Sequence, residues 1–382
     1  MPGTSRRLGG LVQSDIRRMT READRVGAIN LGQGLGDLPT PPPVAAGAIA
    51  AIEARKATYT YPEGTGELRA AIAAKLARDN GISADPVTDI VVTVGSSGAY
   101  TCALNGLLDA GDGILLFEPY YGYHLNAAVV AGLEPQFCAL PAPDFAVTEA
   151  ALRAALKPNT RAVVVCTPSN PSGKMWNRAE LEVLDRVARD HDLLVITDEI
   201  YEYIRYDGAA HISPATVGGL GERTVTIMGL SKTFSITGWR IGYAVAPAAL
   251  ARALTLVNDL YYICAPAPLQ HGVTAGFTLP PDYYRQLAAE YQGKRDRLCD
   301  ALARGGLPPI VPAGAYYVLA DCTRLAPTAL GAAMALLERA RVAAIPGTAF
   351  HTGAAGERLL RFCFAKNDSE LDEACRRLAA LH

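Results

Sequence analysis

One short stretch places a lysine and an arginine where both could do chemistry. Residues 229–243 read GLSKTFSITGWRIGY, with Ser231 before Lys232 and Arg240 eight residues after it. A lysine that burial keeps neutral can attack a carbonyl group, and an arginine offers a planar fork for phosphate or carboxylate. The stretch therefore predicts a reactive amine beside an anion site. The alternative is a solvated loop with ordinary surface charges.

Polar residues of the same kind follow three other apolar, strand-like runs. They are Ser96–Gly98 after VVTV, Asn170 after VVVC, and Asp198 with Tyr201 after LLVIT. Backbone N–H groups and hydroxyls at the start of a helix bind anions, and a carboxylate directly after a buried strand requires a partner. Each feature alone is also typical of a turn or a helix cap. The prediction of one shared site therefore depends on their combination.

The elements that must position these residues are short apolar strands alternating with amphipathic helices. Strands are predicted at 89–94, 113–117, 161–166, 193–197, 224–228 and 240–245, and helices at 95–108 and 177–192. Unalternated apolar strands between helices are typical of a parallel sheet that is buried on both faces. We therefore predict an α/β fold with a mostly parallel central sheet flanked by helices. In such sheets, ligands bind at the carboxyl ends of the strands.

A smaller α+β lobe is expected from the two ends of the chain. A strand at 358–365 and a helix at 369–381 are predicted near the C-terminus, and the stiff, Pro-dense segment 38–43 joins an N-terminal arm to the main body. We expect residues 1–45 to form that arm as part of the small domain. Residues 46–285 would then form the large domain, and residues 286–382 the C-terminal small domain.

The composition argues against several classes of function. The 382 residues are 50% hydrophobic and 19% charged, with a formal net charge of −2. A net charge of this sign and size does not favour binding to nucleic acid or to an anionic membrane surface. No apolar run is long enough to span a bilayer. We expect no signal peptide, no metal site and no disulfides, because the eight cysteines are scattered and the histidines lack ligand spacing. A reduced cytoplasm is the predicted location.

One small molecule would suit all the strand-end residues together. A phosphate group suits Arg240 and the cradle at Ser96–Gly98, a cationic ring nitrogen suits Asp198, and a carbonyl that becomes an imine suits Lys232. Pyridoxal 5′-phosphate carries all three groups. It is therefore the predicted cofactor.

The motifs resemble those of a known family over nearly the whole chain, from INLGQG to RFCFAK. YTYPEGTGELRAAIA, VVTVGSSGA, EPYYGY, TPSNPSGK, ITDEIYEY, SKTFSITGWRIGY and IPGTAF are similar to those of fold-type I, pyridoxal-phosphate-dependent aminotransferases of class I/II. The similarity is greatest to the kynurenine/glutamine and bacterial aspartate aminotransferase branch. The resemblance implies an aspartate aminotransferase-like fold and amino-group transfer between an L-amino acid and a 2-oxo acid. It also implies a homodimer with shared active sites.

The resemblance assigns a role to each matching residue. Lys232 would be the Schiff-base lysine and Asp198 the partner of the pyridine nitrogen, while Asn170 and Tyr201 would bind the phenolic oxygen. The other implied contacts are Ser96, Ser97, Gly98, Ser231 and Arg240 to the phosphate, Tyr121 stacked on the ring, Arg361 with Asn170 and Gly34 to the substrate carboxylate, and Tyr61 reaching the phosphate of the neighbouring subunit.

The sequence departs from this family in segments that would cover the substrate. Gly36 and Leu38 replace a proline and an aromatic residue, and the segment 260–268 also differs. Elsewhere, Gly229 replaces a frequent serine whose hydroxyl would bind the phosphate. A lyase or synthase on the same scaffold, acting by β- or γ-elimination, cyclisation or C–C bond formation, therefore stays an alternative. A nicotinamide oxidoreductase does not fit. The glycine-rich segment 31–39 has no long strand before it and prolines directly after it.

Several residues near these motifs have two interpretations. His124 follows EPYYGY, and packing is favoured over contact with the site. Tyr120, Tyr123, Tyr261 and Tyr262 could line a substrate pocket or simply pack. Cys166, on an apolar run, is expected in the core.

Overall fold

A seven-stranded sheet lies at the centre of the structure, a computed structural model that describes residues 5, 9, 11, 15–34, 36 and 38–381. The strands of this sheet and of two smaller sheets are, in chain order, β1 (Ile29–Asn30), β2 (Ile90–Val94), β3 (Gly113–Glu118), β4 (Glu134–Ala139), β5 (Thr160–Cys166), β6 (Leu194–Asp198), β7 (Thr224–Gly229), β8 (Ile241–Val245), β9 (Pro309–Ile310), β10 (Tyr317–Asp321), β11 (Val342–Ala343), β12 (Ile345–Pro346) and β13 (Leu359–Cys363). The helices are α1 (Asp15–Val26), α2 (Pro42–Glu53), α3 (Gly66–Lys75), α4 (Gly95–Leu107), α5 (Gly122–Ala131), α6 (Glu149–Ala155), α7 (Arg178–Asp190), α8 (Leu230–Thr233), α9 (Ala248–Tyr262), α10 (Ala267–Gly276), α11 (Pro281–Arg304), α12 (Ala329–Ala340) and α13 (Asp368–Ala379).

The strand order of the central sheet is β2-β8-β7-β6-β5-β3-β4. The neighbours from β7 to β4 pair in parallel, and β8 pairs antiparallel with both β2 and β7. The mostly parallel sheet predicted from the apolar runs is therefore confirmed. Because β5, β6 and β7 are adjacent and parallel, the segments that leave their carboxyl ends start side by side.

Two features of the sheet differ from the prediction. The sixth predicted strand, β8, runs antiparallel because only residues 230–240 separate it from β7, too few for a crossover helix. The second is β4, a strand that the sequence does not predict, which forms the edge of the sheet beside β3. Its exposed and buried residues alternate, so it lacks the continuous apolar run that marked the central strands.

Local signals explain where the predicted helices begin. Asn177 caps α7, accepting a hydrogen bond from the backbone N–H of Glu180, whose side chain accepts one from Asn177 in return. This is the capping box predicted from the spacing. α4 begins directly where β2 ends, at Gly95, a residue with φ of +69°. This conformation favours glycine and turns the chain sharply from strand to helix.

The ends of the chain pack together beside the large sheet. An antiparallel sheet has the order β12-β13-β10-β9, and β1 pairs in parallel with β11. Met19 of α1 and Leu31 are buried in the same hydrophobic cluster as Leu298 and Phe362. This packing supports an N-terminal arm within a small domain, while the boundaries at residues 45 and 285 stay predictions. Within the described ranges, no helix is long and apolar enough to cross a membrane.

Candidate active site

Lys232 lies just beyond the end of β7. The strand ends at Gly229 and α8 begins at the next residue, so the lysine lies on the first turn after the sheet. Burial is the main reason that the pKa of its amine falls to about 8, and the positive charge of Arg240 lowers it further. A substantial fraction of this amine is therefore neutral in mildly alkaline solution, as a nucleophile or a base requires.

Asp198 lies at the end of the adjacent strand, β6, where it is 8% exposed. One carboxylate oxygen lies 3.0 Å from Nε2 of His124, which is buried in the first turn of α5. The other accepts a hydrogen bond from the backbone N–H of Ile200 at 3.3 Å. The interpretation of His124 as simple packing is therefore wrong, since its ring partners the buried carboxylate that would otherwise be costly.

Asn170 and Arg361 meet at the carboxyl end of β5. Arg361 is 1% exposed on β13, and its guanidinium donates to the side-chain oxygen of Asn170 at 2.9 Å and to the carbonyl of Gly32 at 2.6 Å. Its Nε has no hydrogen-bond partner among the described residues. Because a buried guanidinium needs compensation, this arginine keeps hydrogen-bonding capacity for a further anionic partner.

Two aromatic rings lie close to this arginine. The centroid of the Tyr317 ring lies 4.3 Å from its guanidinium carbon, and the centroid of Phe350 lies 4.7 Å away. Tyr317 in turn lies edge-on to Tyr201, with a ring separation of 6.2 Å. These rings restrict the arginine to one orientation, which favours a specific contact with a planar carboxylate.

The predicted anion cradle lies at the N-terminus of α4. Arg240 donates to the hydroxyl of Ser97 at 2.9 Å, directly beside Ser96 and Gly98. Gly242 permits this close packing, since a Cβ there would lie 2.5 Å from the backbone nitrogen of Ser96. The unpaired N–H groups of the first helical turn, with this arginine, form a site for a phosphate.

The remaining predicted residues differ in how closely they join this group. Tyr121 precedes α5 and its ring lies 5.1 Å from that of His124, which places it beside the Asp198 carboxylate. The carbonyl of Gly34 accepts a hydrogen bond from the hydroxyl of Tyr316 at 3.3 Å. Tyr61 is 77% exposed in this single chain. Ser231 is buried in α8, next to the lysine.

Two aromatic residues at the start of β10 join the site although no motif of the sequence points to them. Tyr316 lies 5.5 Å from the Lys232 amine, measured to its ring centroid, and the ring of Tyr317 lies beside the Arg361 guanidinium. Phe350 also lies near that guanidinium. The signal that could have found the two tyrosines is their position at the start of an apolar, strand-like run, since successive side chains of a strand point to opposite faces.

The arrangement fits the predicted cofactor. The cradle beside Arg240 suits its phosphate, the buried Asp198 suits its ring nitrogen, and the amine of Lys232 suits its aldehyde. The close glycine contacts support the fit, since a Cβ at Gly95 would lie 2.6 Å from the Arg240 guanidinium. The backbone is therefore open where a phosphate must approach it.

Comparison with known proteins identifies the family. Residues 26–378 match the family described as aminotransferase class I and II. A probable N-succinyldiaminopimelate aminotransferase, DapC, of Mycobacterium tuberculosis is 36% identical, with 99% of this chain and 98% of the relative covered. Kynurenine–oxoglutarate transaminase 3 of Mus musculus is 32% identical over 97% of this chain and 88% of the relative.

A solved structure agrees with these relatives. The N-succinyldiaminopimelate aminotransferase of Mycobacterium tuberculosis superposes with a TM-score of 0.96 at 35% identity, and all of both chains is covered. The aspartate aminotransferase-like fold and the resemblance predicted from the motifs are confirmed. The chain thus belongs to the class I and II aminotransferase family, and it is an enzyme that transfers amino groups with pyridoxal 5′-phosphate.

Proposed function

We propose that this aminotransferase moves an amino group between an L-amino acid and a 2-oxo acid at the site around Lys232, with the residue roles that its motifs predict. The observation that carries this proposal is the set of groups on one rim of the sheet. An amine with a pKa of about 8, a buried carboxylate at Asp198 and the guanidinium of Arg240 all lie at the ends of neighbouring strands. Each group matches a different part of the cofactor.

The protein's own residues bind, orient and move protons. The bound cofactor supplies an electron sink for negative charge at the substrate Cα. Asp198, held by His124, favours a proton on the ring nitrogen, and the neutral amine of Lys232 is placed to accept a proton from the substrate Cα and return one. Tyr201 and Asn170 would bind the phenolic oxygen.

The substrate is recognised by its α-carboxylate. Arg361 is fixed by Asn170, by the carbonyl of Gly32 and by two aromatic rings, and its Nε has no hydrogen-bond partner among the described residues. The names of the similar proteins refer to amino acids as different as N-succinyldiaminopimelate and kynurenine. These compounds share the α-amino acid group, and Arg361 would bind the carboxylate of that group.

We further propose that the enzyme is a cytoplasmic homodimer with shared active sites. Tyr61 and its neighbour Tyr59 are 77% and 78% exposed, and the large apolar side chains of Leu260, Tyr261 and Ile263 are exposed as well. Apolar groups of this size are suited to contact between subunits. Eight free cysteines suit a reducing compartment.

The lysine assignment is tested by trapping the cofactor. Borohydride treatment of the yellow holoenzyme should fix the mass of the reduced cofactor on the peptide that contains Lys232, and the Lys232→Ala variant should gain no such mass. Lys56→Ala, which removes an exposed lysine, is the control and should be labelled as the wild type is. Labelling of another peptide in the wild type would overturn the assignment.

The reaction is tested with a panel of amino acids and no 2-oxo acid. Amino transfer predicts one keto acid per subunit, loss of the visible absorbance, and its recovery when a 2-oxo acid is added. Continuous release of ammonia or of a leaving group would instead support the lyase or synthase alternative.

A further inference from the structure

A second cavity lies outside the active site, between the segment that follows β6 and the first half of α11. Its volume is about 810 Å³, which is ample for a small molecule. The walls come from residues 202–211 and 279–292, and Arg78 and Asp79 close one end. None of the predicted active-site residues lines it.

Two stacked tyrosines form the flat part of this cavity. The rings of Tyr203 and Tyr284 lie 4.3 Å apart with an interplanar angle of 29°. Leu279, Ala288 and Ala289 add an apolar floor beside them. Such a surface suits a planar, apolar group, because aromatic rings stack on one another with a gain beyond area burial.

The negative charges of the cavity are already neutralised within the protein. Asp79 is bound by both Arg78 and Tyr203. Glu202 is bound by Lys75 and accepts from Asn80 at 2.9 Å. Carboxylates that already have partners within the protein attract a cationic ligand only weakly. The charge that a ligand would meet therefore comes from other residues of the lining.

The free charge of the cavity is positive. Arg205 is exposed and gives one hydrogen bond, from one terminal nitrogen to the carbonyl of Ala209. Arg285 is exposed and pairs with Asp282, one turn away on the same helix, so among the described residues the uncompensated positive charge of the lining is that of Arg205. Both guanidinium groups keep further donors that a carboxylate, sulfonate or phosphate group can bind.

Two buried polar atoms of the lining also have no partner among the described residues. His211 has a side chain that is 6% exposed and bonds through Nε2 to Glu199 at 2.7 Å, while its Nδ1 is unpartnered. The hydroxyl of Tyr284 is likewise unpartnered. Buried polar atoms are normally satisfied, so these two atoms of the lining residues are unsatisfied polar groups beside the cavity.

From these observations we infer that the cavity is a binding site for a small anion with a planar aromatic part. The ring lies against Tyr203 and Tyr284, and the anionic group meets Arg205 and Arg285. The site is separate from the transamination site and does not depend on the roles proposed there.

The inference is tested with 4-fluorobenzoate as the probe, titrated into holoenzyme and followed by fluorine NMR. Arg205→Ala and Arg285→Ala should each weaken binding about fivefold, and the neutral analogue 4-fluorobenzamide should bind correspondingly less well. Arg304→Ala is the matched control, because Arg304 lies on the same helix as Arg285 and likewise pairs with an aspartate of that helix, Asp300. It should bind as the wild type does.

Three results would overturn the inference. The first is no binding of the probe to the wild type. The second is equal affinity of the benzoate and the benzamide. The third is unchanged affinity in both cavity variants, which would place the probe elsewhere, such as at Arg361. The cofactor absorbance of each variant confirms that the holoenzyme is intact.

Discussion

At the residue scale, the amine of Lys232 lowers the stability of the cofactor-free chain. Burial depresses its pKa from 10.5 to about 8, so from pH 8 to 10.5 the unfolded chain binds more protons than the folded one. Stability therefore rises with pH across this window, and below pH 8 the full cost of the buried charge is present. We predict that Lys232→Met stabilises the cofactor-free chain at pH 7 and that this gain shrinks by pH 10, as measured by urea unfolding.

The pH dependence separates charge from packing in this experiment. A gain from apolar packing alone would be the same at both pH values and would contradict the prediction. Lys56→Met, at an exposed position, should change stability little at either pH.

Tyr317 provides a second prediction at this scale, through its ring rather than its hydroxyl. The ring lies 4.3 Å from the guanidinium carbon of Arg361, at a buried site where such a contact contributes about 1–2 kcal/mol. Tyr317→Leu should therefore raise the KM for the amino acid roughly five- to thirtyfold, while Tyr317→Phe should stay within about twofold. Steady-state kinetics checks both, and an equal loss in the two variants would assign the effect to the hydroxyl.

At the scale of elements, the close approach of β8 to the start of α4 builds the phosphate cradle. A Cβ at Gly242 would lie 2.5 Å from the nitrogen of Ser96 and 2.6 Å from the carbonyl carbon of Gly95. Both neighbours are backbone atoms, so they must shift, and the N–H groups of the cradle move with them. We predict that Gly242→Ala weakens cofactor binding by about tenfold or more, measured by titrating the cofactor-free enzyme.

A matched glycine in the same segment is the control. Gly238 is exposed, and a Cβ there would meet nothing within 4 Å. Gly238→Ala should therefore bind the cofactor as the wild type does. Equal affinity for the two variants would show that the cradle tolerates the shift.

The sequence predicted those elements whose local pattern is strong. β5, β6 and β7 are mostly apolar, and α7 carries its cap in the sequence, so their positions and the polar residues at their ends could be predicted directly. The direction of β8 depends on the length of a connection, and the edge strand β4 has a mixed pattern. The contacts of His124 and Tyr317 are long-range, and no local pattern encodes a partner that lies distant in the chain.

At the scale of the whole molecule, the single chain leaves one predicted contact unmade. Tyr61 is 77% exposed, although the family resemblance implies that it reaches a phosphate. The exposure of Tyr61 and its implied contact with a phosphate agree if Tyr61 binds the phosphate in the active site of a partner subunit. Each site would then combine Lys232 from one subunit with Tyr61 from the other, so neither subunit is complete alone.

This shared arrangement is tested with hybrid dimers made from two defective variants. Lys232→Ala removes the covalent anchor and Tyr61→Phe weakens phosphate binding, so each pure variant lacks a fully functional site. In a mixed dimer, one site carries both defects, and the other combines an intact Lys232 with an intact Tyr61. We predict that refolding the two together restores a population of sites with wild-type cofactor affinity. If each subunit used its own Tyr61, the mixture would show only the weakened affinity of Tyr61→Phe.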